Sequence, residues 1–213
     1  MITFNQDLLF GMFAHASERI LEQVPHLNEL DGQTGDGDHG TTMLRVCHCI
    51  EEFMQHPASG DWSKQVDELG WTIMGQDGGS AGMLIGNLFI GIGSGLVEPE
   101  LSPSQIAATF RAGLDRMIQF SGAHQGDKTM LDALIPAIET LETYADNGAG
   151  VDQMFQAASH AAEQGCQATI EMVPTRGRAK NMGEKAIGYV DPGATSMALL
   201  FESFTQYIEQ LRG

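Results

Sequence analysis

Basic residues are scarce in this sequence. Lysine and arginine together number 11 against 28 aspartates and glutamates, which gives a formal net charge of −17 over 213 residues. A surface this acidic repels the phosphates of nucleic acids and the headgroups of anionic membranes. We therefore expect neither nucleic acid nor a membrane as a partner.

Long apolar runs and paired cysteines are missing as well. No apolar stretch approaches the roughly 20 residues of a membrane-spanning helix, and Met1-Ile2-Thr3-Phe4 lacks the basic start of a signal peptide. The three cysteines, Cys47, Cys49 and Cys166, contain no CxxC pair. They are predicted to be buried free thiols in a reducing compartment. We expect a cytoplasmic protein.

No segment alternates convincingly between apolar and polar residues, so strands are not predicted. Apolar residues recur at helical spacing instead. About eight helices follow from this spacing, over residues 5–24, 41–55, 62–74, 83–90, 102–117, 131–141, 152–172 and 197–208, with a break at Pro57-Ala58-Ser59-Gly60. The length suits one domain, so we predict an all-α, single-domain fold over residues 1–213. In an up-and-down bundle, the loops at 31–40, 75–82, 121–127 and 173–192 would gather at one end.

An acidic, glycine-rich stretch follows the first predicted helix. Asp31, Asp36 and Asp38 lie within eight positions, and Gly35, Gly37 and Gly40 are interleaved with them. Carboxylates this close repel one another unless a cation lies between them, and sulfur-free ligands suit Mg²⁺ or Ca²⁺. The three aspartates are therefore predicted metal ligands; an acidic solvated loop is the alternative.

Three glycine-rich turns precede helices, where backbone N–H groups can bind phosphate. They are His39-Gly40-Thr41-Thr42, Gly78-Gly79-Ser80-Ala81 and Asp191-Pro192-Gly193-Ala194-Thr195. Helix capping alone would explain any one of them. Gly126-Asp127-Lys128-Thr129 resembles the end of a P-loop but has no suitably placed upstream glycine.

Four of the basic residues, Arg176, Arg178, Lys180 and Lys185, share one ten-residue window. Such a segment in an acidic chain indicates either a nearby anion or a solvated loop.

Five motifs together resemble the nucleotide-binding L subunit of dihydroxyacetone kinases. They are Thr34-Gly35-Asp36-Gly37-Asp38-His39-Gly40, Gly78-Gly79-Ser80-Ala81-Gly82, Gly126-Asp127-Lys128-Thr129-Met130, Arg176-Gly177-Arg178-Ala179 and Asp191-Pro192-Gly193-Ala194-Thr195. The resemblance implies an eight-helix antiparallel barrel with an ADP or ATP site at one open end, in agreement with the helix count.

The resemblance also implies a role for each matching position. Asp31, Asp36 and Asp38 would hold two Mg²⁺ ions, and Arg178 would reach the phosphates as the catalytic residue. The remaining nucleotide contacts would come from His39, Gly40, Thr41, Thr42, Ser80, Ala81, Gly122, Met130, Asp191, Pro192 and Gly193.

The implied function is transfer of a phosphoryl group, within glycerol metabolism, from Mg-bound nucleotide to a triose or related ketose. In the family this substrate is held on a separate K subunit. Because the chain starts at Met1 and ends with a complete helix at Gly213, we expect a stand-alone L subunit. Its nucleotide would be a retained coenzyme, rephosphorylated by a phosphocarrier M subunit of the phosphoenolpyruvate-dependent phosphotransferase system. The alternatives are an ATP-exchanging subunit for a related ketose, and a non-catalytic protein that binds metal, nucleotide and partners.

Overall fold

A computed structural model describes residues 2–56 and 61–212 of the chain. Within these ranges there are eight α-helices, which confirms the all-α prediction: α1 (Gln6–Thr34), α2 (His39–Gln55), α3 (Trp62–Met74), α4 (Gly79–Gly95), α5 (Pro103–Ser121), α6 (Leu131–Asp146), α7 (Val151–Ala168) and α8 (Pro192–Gln210). Two 3-10 segments, Thr169–Glu171 and Ala179–Ala186, lie between α7 and α8. The predicted break at 57–60 lies outside the described residues.

The helices close into an antiparallel barrel. Each helix packs on the next in the chain, and α8 returns to pack on α1. Two short strands, β1 (Phe4–Asn5) and β2 (Glu100–Leu101), pair antiparallel with Phe4 opposite Leu101. Among the helices at 2–56 and 61–212, none combines the length and the apolar character that crossing a bilayer requires.

Phenylalanine rings fill much of the barrel interior. Phe110, Phe155, Phe201 and Phe204 are almost fully buried, with ring centroids 5.5–6.5 Å apart. These rings tie α5, α7 and α8 together through apolar burial and edge-to-face contact. The three cysteines are buried and free, as predicted, and burial raises the pKa of Cys47 and of Cys166 to about 11.

Helix α1 extends well past its predicted end at residue 24. Pro25 lies inside the helix, which continues to Thr34. Leu27, Leu30 and Thr34 are buried and continue the inward stripe of the helix. Burial of that stripe outweighs the one hydrogen bond that proline removes. The predicted end of this helix at residue 24 was wrong, and Asp31, expected in the loop at 31–40, lies on the last turn of α1.

Helix α5 begins with a capping box. The Ser102 hydroxyl accepts a hydrogen bond from the amide of Gln105, whose side chain accepts one from the amide of Ser102. This reciprocal pair satisfies two amides that would otherwise lack partners at the start of the helix.

Candidate active site

A cavity of about 410 Å³ opens at one end of the barrel. The end of α1, the starts of α2, α4 and α8, the turn after α5 and the segment after α7 all contribute to its lining. The predicted gathering of four loops at one end is therefore confirmed.

Most of the predicted site residues line this cavity. They are Asp31, Asp36, Asp38, His39, Thr42, Ser80, Ala81, Met130, Arg178, Asp191, Pro192 and Gly193. Arg176 lines it too. Lys180 and Lys185 are exposed to solvent and are not among the lining residues, so only half of the basic window faces the cavity.

Gly40, Thr41 and Gly122 do not line the cavity. Gly40 lets α2 approach α1, because a Cβ there would lie 2.1 Å from the carbonyl oxygen of Val24. The amide of Thr41 donates to Asn28 Oδ1 at 3.0 Å, and its hydroxyl accepts from Asn28 Nδ2 at 3.3 Å. These contacts set the start of α2 against α1.

Gly122 ends α5 in the left-handed conformation, at φ 60°. This backbone conformation favours glycine. Its carbonyl oxygen accepts a hydrogen bond from Arg176 Nη2 at 2.6 Å. Gly122 therefore links the end of α5 to the segment that carries the cavity-lining arginines.

The three aspartates converge as predicted. One carboxylate oxygen from each of Asp31, Asp36 and Asp38 lies within 4.8 Å of the other two. Asp31 Oδ2 accepts hydrogen bonds from the amides of Asp38 at 2.8 Å and His39 at 3.3 Å, which fixes the turn between α1 and α2. An all-oxygen donor set of this kind fits a hard divalent cation.

Arg178 meets the same carboxylates. Its guanidinium forms an ion pair with Asp36, and its Nη1 lies 3.6 Å from Asp38 Oδ2. The guanidinium thus places positive charge beside these carboxylates, in the same cavity.

His39 is buried and neutral. Its Nε2 lies 3.1 Å from the Ser196 hydroxyl, which donates its own hydrogen to the carbonyl of Gly193 at 2.8 Å. Nε2 therefore carries the imidazole proton in this contact. Burial lowers the pKa of His39 to about 4, and nearby Asp31 opposes this shift only in part. The side chain links α2 to α8 without adding positive charge to the cavity.

The three glycine-rich turns differ in how their helices begin. Within the described residues, the Asp38 side chain does not cap α2, and Gly78 at the start of α4 has no side chain that could cap it. Asp191, in contrast, caps α8 by accepting from the amide of Ala194 at 2.7 Å. At the start of α2, however, the amides of His39 and Thr41 already donate to the side chains of Asp31 and Asn28. The first amides of α4 are therefore the ones best placed to bind an anion.

Within the turn at 126–132, sequence reasoning assigned a role to Met130 but none to Lys128, a lining residue that is only 2 % exposed. Asp132 holds this turn by accepting from the amides of Gly126 at 2.5 Å and Thr129 at 2.7 Å. Burial raises the pKa of Asp132, and these hydrogen bonds oppose the increase. The signal available in the sequence was the Gly-Asp-Lys-Thr motif followed by an aspartate.

Comparison with known proteins decides the family. The family model described as the DAK2 domain matches residues 33–206. The chain belongs to the DAK2 domain family. The matched range contains Asp36, Asp38 and the other cavity loops, while Asp31 lies just before it and joins the other two aspartates in space.

Two bacterial relatives of this DAK2 chain have similar lengths. It is 34% identical over 178 residues to the PEP-dependent dihydroxyacetone kinase, ADP-binding subunit DhaL, of Escherichia coli K12, covering 83% of this chain and 85% of that one. It is 31% identical over 192 residues to the PTS-dependent dihydroxyacetone kinase, ADP-binding subunit DhaL, of Lactococcus lactis, covering 90% and 92%.

Other similar proteins are much longer. The chain is 32% identical to the D-erythrulose kinase of Mycolicibacterium smegmatis, with 90% of this chain matching 34% of that protein. The structure of the dihydroxyacetone kinase of C. freundii in complex with AMP-PNP and Mg²⁺ superposes with a TM-score of 0.75 at 26% identity. That match covers 97% of this chain and 35% of the kinase, so the chain spans about a third of these longer proteins.

Proposed function

We propose that this chain, as one domain over residues 1–213, is the nucleotide-carrying L subunit of a dihydroxyacetone kinase. The observation that carries the proposal is the convergence in one cavity of three carboxylates, the start of α4 with no side-chain cap, and Arg178. Phosphoryl transfer depends on positioning and on neutralising charge, and it requires no protein nucleophile. This cavity offers both.

Each group has a place in that function. Asp31, Asp36 and Asp38 would hold two Mg²⁺ ions, which supply charge neutralisation to the nucleotide phosphates when bound. The first amides of α4 would bind phosphate oxygens. Arg178 would stabilise the charge that develops during transfer. The similar C. freundii kinase was solved in complex with AMP-PNP and Mg²⁺, which supports this ligand class.

The other cavity residues would bind the rest of the nucleotide. Met130 and Ala81 offer apolar surface for the base and ribose, and Asp191, Pro192 and Gly193 line the cavity at the start of α8. Gly122 would act indirectly, through the hydrogen bond of its carbonyl to Arg176.

The substrate and the partners follow from the relatives. We propose that the ketose is held on a separate K subunit and that the nucleotide stays bound as a coenzyme. A phosphocarrier M subunit would rephosphorylate it, in the cytoplasm and as a step of glycerol metabolism. The relatives of similar length are named PEP- or PTS-dependent, ADP-binding subunits, and this supports a retained ADP. The similarity to a D-erythrulose kinase supports a second candidate, an ATP-exchanging subunit for a related ketose.

The first test is the nucleotide content of the purified protein, measured by absorbance near 260 nm and by mass spectrometry. We expect bound adenine nucleotide in the wild type and its loss in Asp36→Ala and Asp38→Ala, with unchanged helical circular dichroism. Asp146→Ala is the matched control, because it removes an exposed carboxylate at the end of α6. Normal nucleotide content in both cavity variants would contradict the metal assignment.

The second test separates a coenzyme from an exchanging substrate. The protein is loaded with labelled ADP and mixed with the K and M subunits and phosphoenolpyruvate-derived phosphoryl donor, then chased with excess unlabelled ATP. Label that stays bound through many turnovers supports the coenzyme. Label lost within one turnover, with activity sustained by ATP alone, would establish the ATP-exchanging alternative.

A further inference from the structure

Lys128 is a buried cation that the proposed transfer reaction does not use. Its ammonium donates to backbone carbonyls alone, at 2.7 Å to Thr169, 2.8 Å to Ala186, 2.6 Å to Tyr189 and 3.3 Å to Met172. An ammonium has three hydrogens, so the three shorter contacts satisfy it. Burial lowers the pKa of Lys128, while Asp191 and Glu171 oppose the decrease.

The four carbonyls lie at the two ends of one segment. We name residues 173–188 the arginine arm, because they carry Arg176 and Arg178 into the cavity. Thr169 and Met172 precede the arm, whereas Ala186 and Tyr189 lie at its far end. One ammonium therefore draws together both ends of the arm.

The turn that carries Lys128 is itself held rigidly. Lys128 has a φ of 59°, the one positive φ of a non-glycine residue in the described part of the chain. Such a conformation persists only where the surroundings enforce it, and the two amide contacts of Asp132 to Gly126 and Thr129 do so. The ammonium is thus presented from a fixed point of the barrel.

A second contact joins the arm to the same turn. The carbonyl of Asp127 accepts from the amide of Thr175 at 3.2 Å, and its carboxylate accepts from the Thr175 hydroxyl. The same carboxylate lies 3.7 Å from Nε of Arg176. The position of Arg178 opposite Asp36 and Asp38 therefore depends on the turn at 126–132, which is remote in sequence from Arg178 and from the two aspartates.

We propose that Lys128 is a positioning residue, whose ammonium fixes the arginine arm so that Arg178 faces the nucleotide phosphates. The role of Arg178 rests on the proposed function, but the link between Lys128 and the arm does not. Without the ammonium, four carbonyls face one another with no donor between them, and the ends of the arm separate. The aspartates and the starts of α2 and α4 stay in place, because the hydrogen bonds of the Lys128 ammonium do not reach them.

The test compares Lys128→Met with wild type by hydrogen–deuterium exchange of the full chain. We expect amides at 172–189, including the Gly188 amide that donates to Ile170, to exchange on the order of tenfold faster or more. Amides of α1 to α6 should keep wild-type rates. Lys185→Met is the control, since it removes the same charge from an exposed position of the same arm and should leave exchange unchanged.

A small cation should replace the missing ammonium. Lys128→Ala leaves a space that ends in carbonyl oxygens, and millimolar ethylammonium should slow exchange at 172–189 back toward the wild-type rate. Ethanol at the same concentration lacks the charge, and tetramethylammonium lacks the N–H donors, so neither should do so. The release rate of labelled ADP should follow the same pattern, with faster release in the alanine variant and recovery with ethylammonium.

Three results would overturn the proposal. The first is wild-type exchange at 172–189 in both Lys128→Met and Lys128→Ala. The second is equal exchange of Lys128→Ala with ethylammonium, ethanol and tetramethylammonium. The third is loss of the whole helical signal in both variants, because the proposed effect is confined to the arm. A wild-type protein that binds no adenine nucleotide would refute the proposed function instead, and the exchange data would still decide the role of Lys128.

Discussion

The close approach of α2 to α1 gives a sharp prediction for Gly40→Ala. The new Cβ would lie 2.1 Å from the carbonyl oxygen of Val24 and 2.8 Å from Asn28 Oδ1, whereas ordinary contact begins near 3.4 Å. The start of α2 would have to move by more than 1 Å. Overpacking of this kind costs roughly 1–3 kcal/mol, and a lost hydrogen bond between Asn28 and Thr41 adds about 1 kcal/mol.

We therefore expect Gly40→Ala to lower the free energy of unfolding by about 2–4 kcal/mol, measured by urea denaturation of the nucleotide-free protein. Mg²⁺ affinity, measured by calorimetry, should fall as well, because the shift separates Asp38 on the α2 side from Asp31 on α1. The first result would come from packing alone, whereas the second reports on the site.

Gly32→Ala is the matched control for this prediction. Gly32 is an exposed helical residue near the end of α1, and the nearest atom to an added Cβ lies 3.9 Å away. Alanine should stabilise the protein here by up to about 1 kcal/mol, through helix propensity and a less flexible unfolded chain. A Gly40→Ala variant within about 0.5 kcal/mol of wild type would refute the close α1–α2 contact.

Two further predictions concern the cavity. Arg178→Ala should reduce the rate of phosphoryl transfer, in reconstitution with the K subunit, by roughly a hundredfold or more, with a smaller effect on nucleotide retention; an unchanged rate would place Arg178 outside the reaction. Asp191→Asn should flatten the pH dependence of the free energy of unfolding. Burial raises the pKa of Asp191 from 3.8 to about 7, so the folded state holds the extra proton. Wild-type stability should therefore fall as the pH rises from about 4 to 7, by at most about 4 kcal/mol. Asparagine keeps the oxygen that caps α8, and denaturation at pH 5 and pH 8 measures the slope. An equally steep slope in the variant would assign the pH dependence to another group.

The structure also refines what the basic window does. Arg176 and Arg178 face the cavity, while Lys180 and Lys185 are exposed. The cation that matters most for the shape of this segment, Lys128, lies outside the window. Its charge is used within the protein, on carbonyl oxygens.

Local information was enough for most of the helices and for part of the site. Apolar spacing predicted α3 at residues 62–74, as observed, and the Ser102 cap depends on residues three positions apart. The three aspartates were found because their spacing is short and their charges repel. These features depend on neighbours in the chain, so the sequence alone determined them.

The remaining features depend on contacts between distant segments, and only the tertiary structure decided them. Helix α1 continues past Pro25 because buried residues on its far side pack into the barrel. Gly40 is needed because α1 places the carbonyl oxygen of Val24 where a Cβ would lie. His39 is neutral because the closed barrel excludes water from it. Lys128 finds its carbonyl partners at least 41 positions away. Propensity and spacing describe one segment at a time, whereas close packing and desolvation arise only when segments meet.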